Sequence, residues 1–173
     1  MLPVMVPVLL LIDVQNNMLL PPTPVPDADR VAAAIARVLE RARAAGAQVV
    51  HVRNNGTGDD PDVPGTSGWE LVHDVRPGEH VVDKQTPDSF ADTSLGSLLA
   101  ESAPLVVAGM QSDFCVRATS LAALNRGHEV TLVQDAHATY DDELPAAEES
   151  ARVNEELSAA GVKLVGSEEV LFA

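Results

Sequence analysis

The first regular pattern along the chain is a nearly continuous apolar run, Val8 to Val14, interrupted only by Asp13. Apolar residues without alternation are the pattern of a strand covered on both faces. After the Pro-rich stretch from Pro21 to Pro26, Asp27 is placed to cap a helix. Val31, Ile35, Val38, Leu39 and Ala42 recur at helical spacing there, and Gly46 ends the segment. Gln48 to Val52 reads as a second strand. Residues 54 to 68, NNGTGDDPDVPGTSG, are turn formers without periodicity and read as a long loop.

The alternation then continues. Val81 and Val82 belong to a third strand ending near Lys84, and Leu95 to Ala100 reads as a short helix. Leu105 to Gly109 is a fourth strand, and Asp113 to Arg126 a helix closed by Gly127. Glu129 to Gln134 is a fifth strand, Leu144 to Ala160 a helix closed by Gly161, and Val162 to Val165 a sixth strand. Strands alternating with helices predict an α/β fold of three layers, α/β/α, around a mostly parallel sheet of about six strands. No polar linker or internal repeat divides the sequence, so residues 1–173 are expected to form a single domain.

Composition narrows the picture. Aromatic residues are only 3% of the chain, so Val, Leu and Ala must fill the core. The net charge is −15, from 26 acidic against 11 basic residues. Phosphate backbones and anionic lipid repel such a chain, which argues against nucleic-acid or membrane partners. The apolar start has no basic segment before it and is too short to span a bilayer. A cytoplasmic location is the expectation.

Ligands of open parallel sheets bind beyond the carboxyl ends of the strands. Three reactive residues fall at such ends: Asp13 after the first strand, Lys84 after the third, and Cys115 just past the fourth, at a helix start. Right-handed crossovers bring these ends to one edge. Cys115 is the chain's single cysteine, which leaves an inert core thiol or a nucleophile. Unsatisfied N–H groups at the helix start, and a nearby Lys84, are expected to favour thiolate. A redox-sensing role would require a thiol from a partner, since the chain offers no second cysteine.

Three segments, LLLIDVQNNM, KQTPDSFADTSL and VVAGMQSDFCVRATSLAALNRGHEVTLVQDAHAT, resemble in order the isochorismatase-like hydrolases, whose domain is Rossmann-like. The resemblance runs from about Val8 to Val165. It implies a catalytic triad of Asp13, Lys84 and Cys115, a cis peptide between Met110 and Gln111, and an oxyanion hole made by the N–H groups of Gln111 and Cys115. It also implies a homodimer or larger homo-oligomer. Nicotinamidase-like members bind a metal through an Asp-x-His pair after the second strand. Asn54 and Gly56 stand at those positions here, so no metal and no cofactor are expected.

Isochorismatase proper cleaves a vinyl ether without a nucleophilic cysteine, so Cys115 points to hydrolysis of a C–N bond in a small molecule: an amide, a lactam or a ureido group. GTSGWEL resembles most the streptothricin-hydrolase-like branch. The alternatives are a metal-dependent amidase, disfavoured by Asn54 and Gly56, and a non-catalytic member that binds a small molecule in the same crevice. Substrate contacts are expected from Trp69, Phe90, Phe114 and Gln15. Trp69 has a second reading as an anchor for the loop, Phe114 one as packing beside the nucleophile, and Gln15 one as a brace for backbone or for Asp13. The cluster Asp59, Asp60 and Asp62 reads as solvated loop. Asn17, and Arg152 with Val153, depart from residues common in relatives.

Overall fold

A computed structural model describes residues 5–173. Six strands form one sheet in the order β3-β2-β1-β4-β5-β6, every neighbouring pair parallel. They are β1 (Val8–Ile12), β2 (Val49–Asn54), β3 (His80–Lys84), β4 (Leu105–Met110), β5 (Val130–Ala138) and β6 (Lys163–Val165). The helices are α1 (Asn16–Leu19), α2 (Ala28–Ala44), α3 (Leu95–Leu98), α4 (Arg117–Asn125) and α5 (Ala146–Ala160).

The period-2 alternation of a strand distributes β1 between two cores. Leu9 and Leu11 pack with Val31, Ile35, Val38 and Leu39 of α2. Val8, Leu10 and Ile12 pack on the other face, with Leu95 of α3, Ala123 of α4, and Val153 and Leu157 of α5. All five β1 residues are buried, which is why the run showed no polar alternation. The predicted three-layer α/β/α arrangement is therefore observed.

Several boundaries differ from the sequence reading. β1 stops at Ile12, because Asp13 adopts a left-handed conformation, φ 52°, and turns the chain out of the sheet. Asp27 stands at the start of α2, but its side chain caps nothing and pairs instead with Arg30. β5 continues to Ala138 through an irregularity in its pairing with β4. The helix expected from Asp113 begins as a π-helical turn, Ser112–Val116, in which Val116 N–H reaches back five residues to Gln111 O at 3.1 Å.

One glycine is required where β4 ends. Gly109 has φ 128°, and a Cβ there would stand 2.0 Å from Ile12 O. Only glycine lets β4 close on the end of β1 and deliver the following turn beside Asp13. The next peptide, Met110–Gln111, is cis, as the resemblance implied.

Candidate active site

The carboxyl ends of β3, β2, β1 and β4 lie side by side and carry Lys84, Asn54, Asp13 and, one turn on, Cys115. Val82 and Val52 face the α4 side of the sheet. Two residues further along each strand the same face is presented, so Lys84 and Asn54 project toward the turn that holds Cys115.

The Lys84 ammonium is enclosed and donates to three acceptors: Asp13 Oδ2 at 3.2 Å, Asn54 Oδ1 at 3.1 Å and Cys115 Sγ at 3.3 Å. The other Asp13 oxygen, Oδ1, is buried and has no hydrogen-bond partner among the described residues. Burial pushes the Asp13 carboxyl up, against the opposing pull of Lys84. Burial also pushes the Cys115 thiol up, to about 12, with Asp13 adding to the rise and Lys84 opposing it. The expected depression by Lys84 and the helix start is thus outweighed. Burial favours the protonated thiol and raises the neighbouring carboxyl as well.

The turn carrying Cys115 is fixed from behind. Ser112 and His137 are buried, with Ser112 Oγ 2.7 Å from His137 Nδ1 and 3.0 Å from Ser150 Oγ. His137 Nε2 is 2.7 Å from Asn154 Oδ1, so that nitrogen donates and Nδ1 accepts from Ser112. Burial holds His137 below its ordinary value, which keeps it neutral. Thr139 Oγ1 donates to Asp113 Oδ1 at 2.7 Å. None of these partners was singled out from the sequence. Two signals were available: Ser112, Asp113, His137 and Thr139 all fall within the third family-like segment, and Gln134, Asp135, His137 and Thr139 are polar in a stretch otherwise patterned as a strand.

A cleft of about 400 Å³ opens over Asp13 and Cys115 and includes Asn54, Asp62, Gln111 and Phe114 in its wall. Hydrogen bonds to Gln111 O from Phe114 N–H (3.2 Å) and Val116 N–H (3.1 Å) close the turn. The peptide N–H groups of Gln111 and Cys115, expected to form an oxyanion hole, stand at the start and middle of that turn. Phe114 is 54% exposed at the rim.

The other three predicted substrate contacts lie elsewhere. Phe90 is buried in the α4-side core, with the Arg126 guanidinium 4.5 Å above its ring and His128 stacked at 6.1 Å. Trp69 does not line the cleft. Arg53 lies 3.7 Å over its ring and its indole N–H donates to Asn55 Oδ1 at 2.7 Å, so it anchors the loop. Gln15 is fully buried and is a brace: Nε2 donates to Asn54 O and Trp69 O, and Oε1 accepts from Asn54 N–H.

The acidic loop is also more ordered than a solvated reading allows. Asp62 is buried and accepts from Asn54 Nδ2 at 2.7 Å. Among the described residues no three His, Cys, Asp or Glu side chains are grouped to hold a metal ion. The donor chemistry at Asn54 fits a metal poorly: its oxygen is taken by Lys84, its nitrogen donates to Asp62, and Gly56 offers no side chain.

The family model for the Isochorismatase domain matches residues 7–169. A streptothricin hydrolase from Streptomyces noursei is 51% identical over 143 residues, 80% of this chain. The chain spans little more than half the length of the two streptothricin hydrolases it matches, 56% and 51%. An isochorismatase from Pseudomonas putida KT2440 superposes with a TM-score of 0.89 at 27% identity, covering 99% of this chain and 94% of that one. N-carbamoylsarcosine amidase from Thermoplasma acidophilum superposes at 0.83 with 26% identity, covering 96% and 99%. With the family model spanning nearly its whole length over this sheet and this cleft, the chain belongs to the isochorismatase family.

Proposed function

We infer that the protein is a metal-independent cysteine hydrolase that cleaves a C–N bond of a small amide, lactam or ureido compound through a thioester on Cys115. The observation that carries this reading is the division of labour at Asp13. Lys84 occupies Oδ2 at 3.2 Å, Oδ1 is buried without a geometric hydrogen-bond partner among the described residues, and the Cys115 thiol lies close enough for the carboxylate to raise it. A buried acceptor left unsatisfied by the protein is costly and is suited to taking a proton.

In this mechanism Asp13 removes the Cys115 proton as sulfur attacks the carbonyl carbon, and the C=O pair moves onto oxygen. The N–H groups of Gln111 and Cys115 hold that oxyanion, a contribution of about 3–4 kcal/mol per donor in comparable sites. The tetrahedral intermediate collapses, Asp13 gives its proton to the leaving nitrogen, and the amine departs. Water, deprotonated by Asp13, then attacks the thioester; the acid leaves and the proton returns to sulfur. Burial raises both the thiol and the carboxyl, which suits passage of the proton from sulfur to Asp13 as sulfur attacks.

The amidase and hydrolase named among the relatives support C–N cleavage. Asp60 and Asp62 add carboxylates to the cleft wall, which disfavours anionic substrates. Phe114, at the rim, remains the predicted side chain placed to touch substrate. The reading includes a single catalytic domain working as a homodimer or larger homo-oligomer in the cytoplasm. No helix among the described residues is long and apolar enough to cross a membrane.

A panel of small amides, lactams and ureido compounds, assayed on wild type and Cys115→Ala after exhaustive treatment with a chelator, tests the reading. Chelated wild type should turn over at least one compound and Cys115→Ala none. Full turnover by Cys115→Ala would overturn the nucleophile assignment, and loss on chelation restored by metal would overturn metal independence.

A further inference from the structure

We propose that Asn54 is a positioning residue for the triad: Asp62 fixes its amide in one orientation, and the amide oxygen holds the Lys84 ammonium between Asp13 and Cys115. The inference takes its chemistry from the hydrolase reading, but the clamp itself is a matter of donors and acceptors.

An ammonium has three N–H donors and no acceptor. Lys84 Nζ meets three acceptors, at 3.1, 3.2 and 3.3 Å, inside a site where its side chain is fully buried. Two of those acceptors, Asp13 and Cys115, change protonation during the proposed reaction. Asn54 Oδ1 does not, so it is the fixed point that keeps the ammonium in place as charge moves between the other two.

An amide could equally turn its NH2 toward Lys84, which would set donor against donor. Asp62 prevents this. Its carboxylate only accepts, and it takes Asn54 Nδ2 at 2.7 Å, a charge-assisted bond. With an acceptor on one side and a cation on the other, only one amide orientation satisfies both. The Asn54 backbone is held as well, by both ends of the Gln15 amide.

The loop is built to return Asp62 to this place. Gly56 N–H donates to Asp62 O at 2.9 Å, and a Cβ on Gly56 would lie 2.1 Å from Asp62 Oδ1. Asn54 and Gly56, the two positions that departed from a metal-ligand pair, are therefore the two that admit and bind this carboxylate. Seating of residues 55–62 is thereby tied to the geometry of Lys84.

A charge swap separates this role from a merely structural one. Asn54→Asp sets two carboxylates against each other and should lose about 100-fold in kcat with KM little changed, the scale of a misplaced catalytic group. Asp62→Asn should cost less, because its amide oxygen still accepts from Asn54. The double variant restores the bond with donor and acceptor exchanged and total charge preserved, and should recover at least about tenfold over Asn54→Asp. Alkylation of the single cysteine by iodoacetamide at fixed, mildly alkaline pH gives a readout independent of any substrate. It should slow about tenfold in Asn54→Asp, one pKa unit of lost thiolate, and recover in the swap.

A double variant no better than Asn54→Asp would overturn the clamp. So would unchanged alkylation with reduced kcat, which would place Asn54 on the substrate instead. Should Asn54→Asp fail to fold, Asn54→Ala makes the same prediction for kcat and alkylation. Turnover persisting in Cys115→Ala would remove the cysteine-nucleophile reading, while alkylation of wild type against the Asn54 variants would still decide the clamp.

Discussion

Lys84 and Asp13 form an ion pair sealed from solvent, with Nζ 3.2 Å from Oδ2 and side-chain exposures of 0% and 1%. They come from the ends of β3 and β1, with β2 between them. Removing one partner of such a pair strands the other charge in an apolar setting. Lys84→Met should therefore destabilise the protein by about 3–5 kcal/mol at neutral pH. Asp13 is already raised by burial, and loss of the ammonium raises it further. The deficit should shrink as the pH falls and Asp13 takes up a proton. Equilibrium urea unfolding of both proteins at neutral and acidic pH measures this, and equal stability at neutral pH would contradict it.

The thiol makes a second prediction because its causes have opposite signs. Burial and Asp13 raise Cys115 to about 12, while Lys84 lowers it. Wild-type alkylation should keep accelerating through the alkaline range, with no plateau near neutrality. Asp13→Asn deletes one of the raising causes and leaves Lys84 in place, so the thiol pKa falls. Alkylation should quicken by about tenfold for each unit of fall, even as hydrolysis drops by about 10²–10⁴-fold through loss of the base. A variant slower in both reactions would mean that Asp13 acts on sulfur mainly by placing Lys84.

These effects mark what the sequence could and could not convey. VLLLI announced a strand covered on both faces because β1 is buried from end to end, and that alone placed Asp13 at a sheet edge. Lys84 followed from the same logic. Phe90 lies only six residues beyond Lys84 in sequence, but its ring turns into the core against Arg126 and His128. The Gln15–Trp69 bond joins residues 54 apart and the Ser112–His137 bond residues 25 apart. No local pattern encodes such pairings. The state of the thiol has a similar origin. A helix start and a lysine are legible, but the burial that overrides them comes from packing of the whole site.

Gln15 offers a test of the loop anchor. Its amide satisfies the N–H and C=O of Asn54 and the C=O of Trp69, at 2.9–3.0 Å, while fully buried. Gln15→Leu keeps much of the volume and leaves three backbone groups unpaired. A loss of about 3 kcal/mol is expected, within the range for orphaned buried polar groups. The chain has a single tryptophan, so fluorescence reports this loop directly. Its emission should shift to the red in Gln15→Leu under native conditions, as Trp69 loosens from Arg53 and Asn55. An unchanged spectrum would show that Arg53 and Asn55 hold the loop unaided.

Far from the cleft, Glu79 should govern acid stability. Its carboxylate accepts two bonds from Arg43 at 2.8 Å, one from His51 at 2.8 Å and one from Arg76 N–H at 3.0 Å. The bonds from Arg43 are the largest cause holding it down, from an ordinary value near 4.5 to about 2. A carboxyl depressed on folding stabilises the native state at any pH above its unfolded value, and that contribution drains away as the pH falls through the folded one. Glu79→Gln should cost about 2 kcal/mol at neutral pH, the scale of hydrogen bonds to a charged group. Between pH 4.5 and about 2, wild-type stability should fall toward that of Glu79→Gln, and the two unfolding curves should converge. Parallel curves through that window would mean that the stabilisation comes from the shape of the carboxyl, which glutamine shares, and not from its charge.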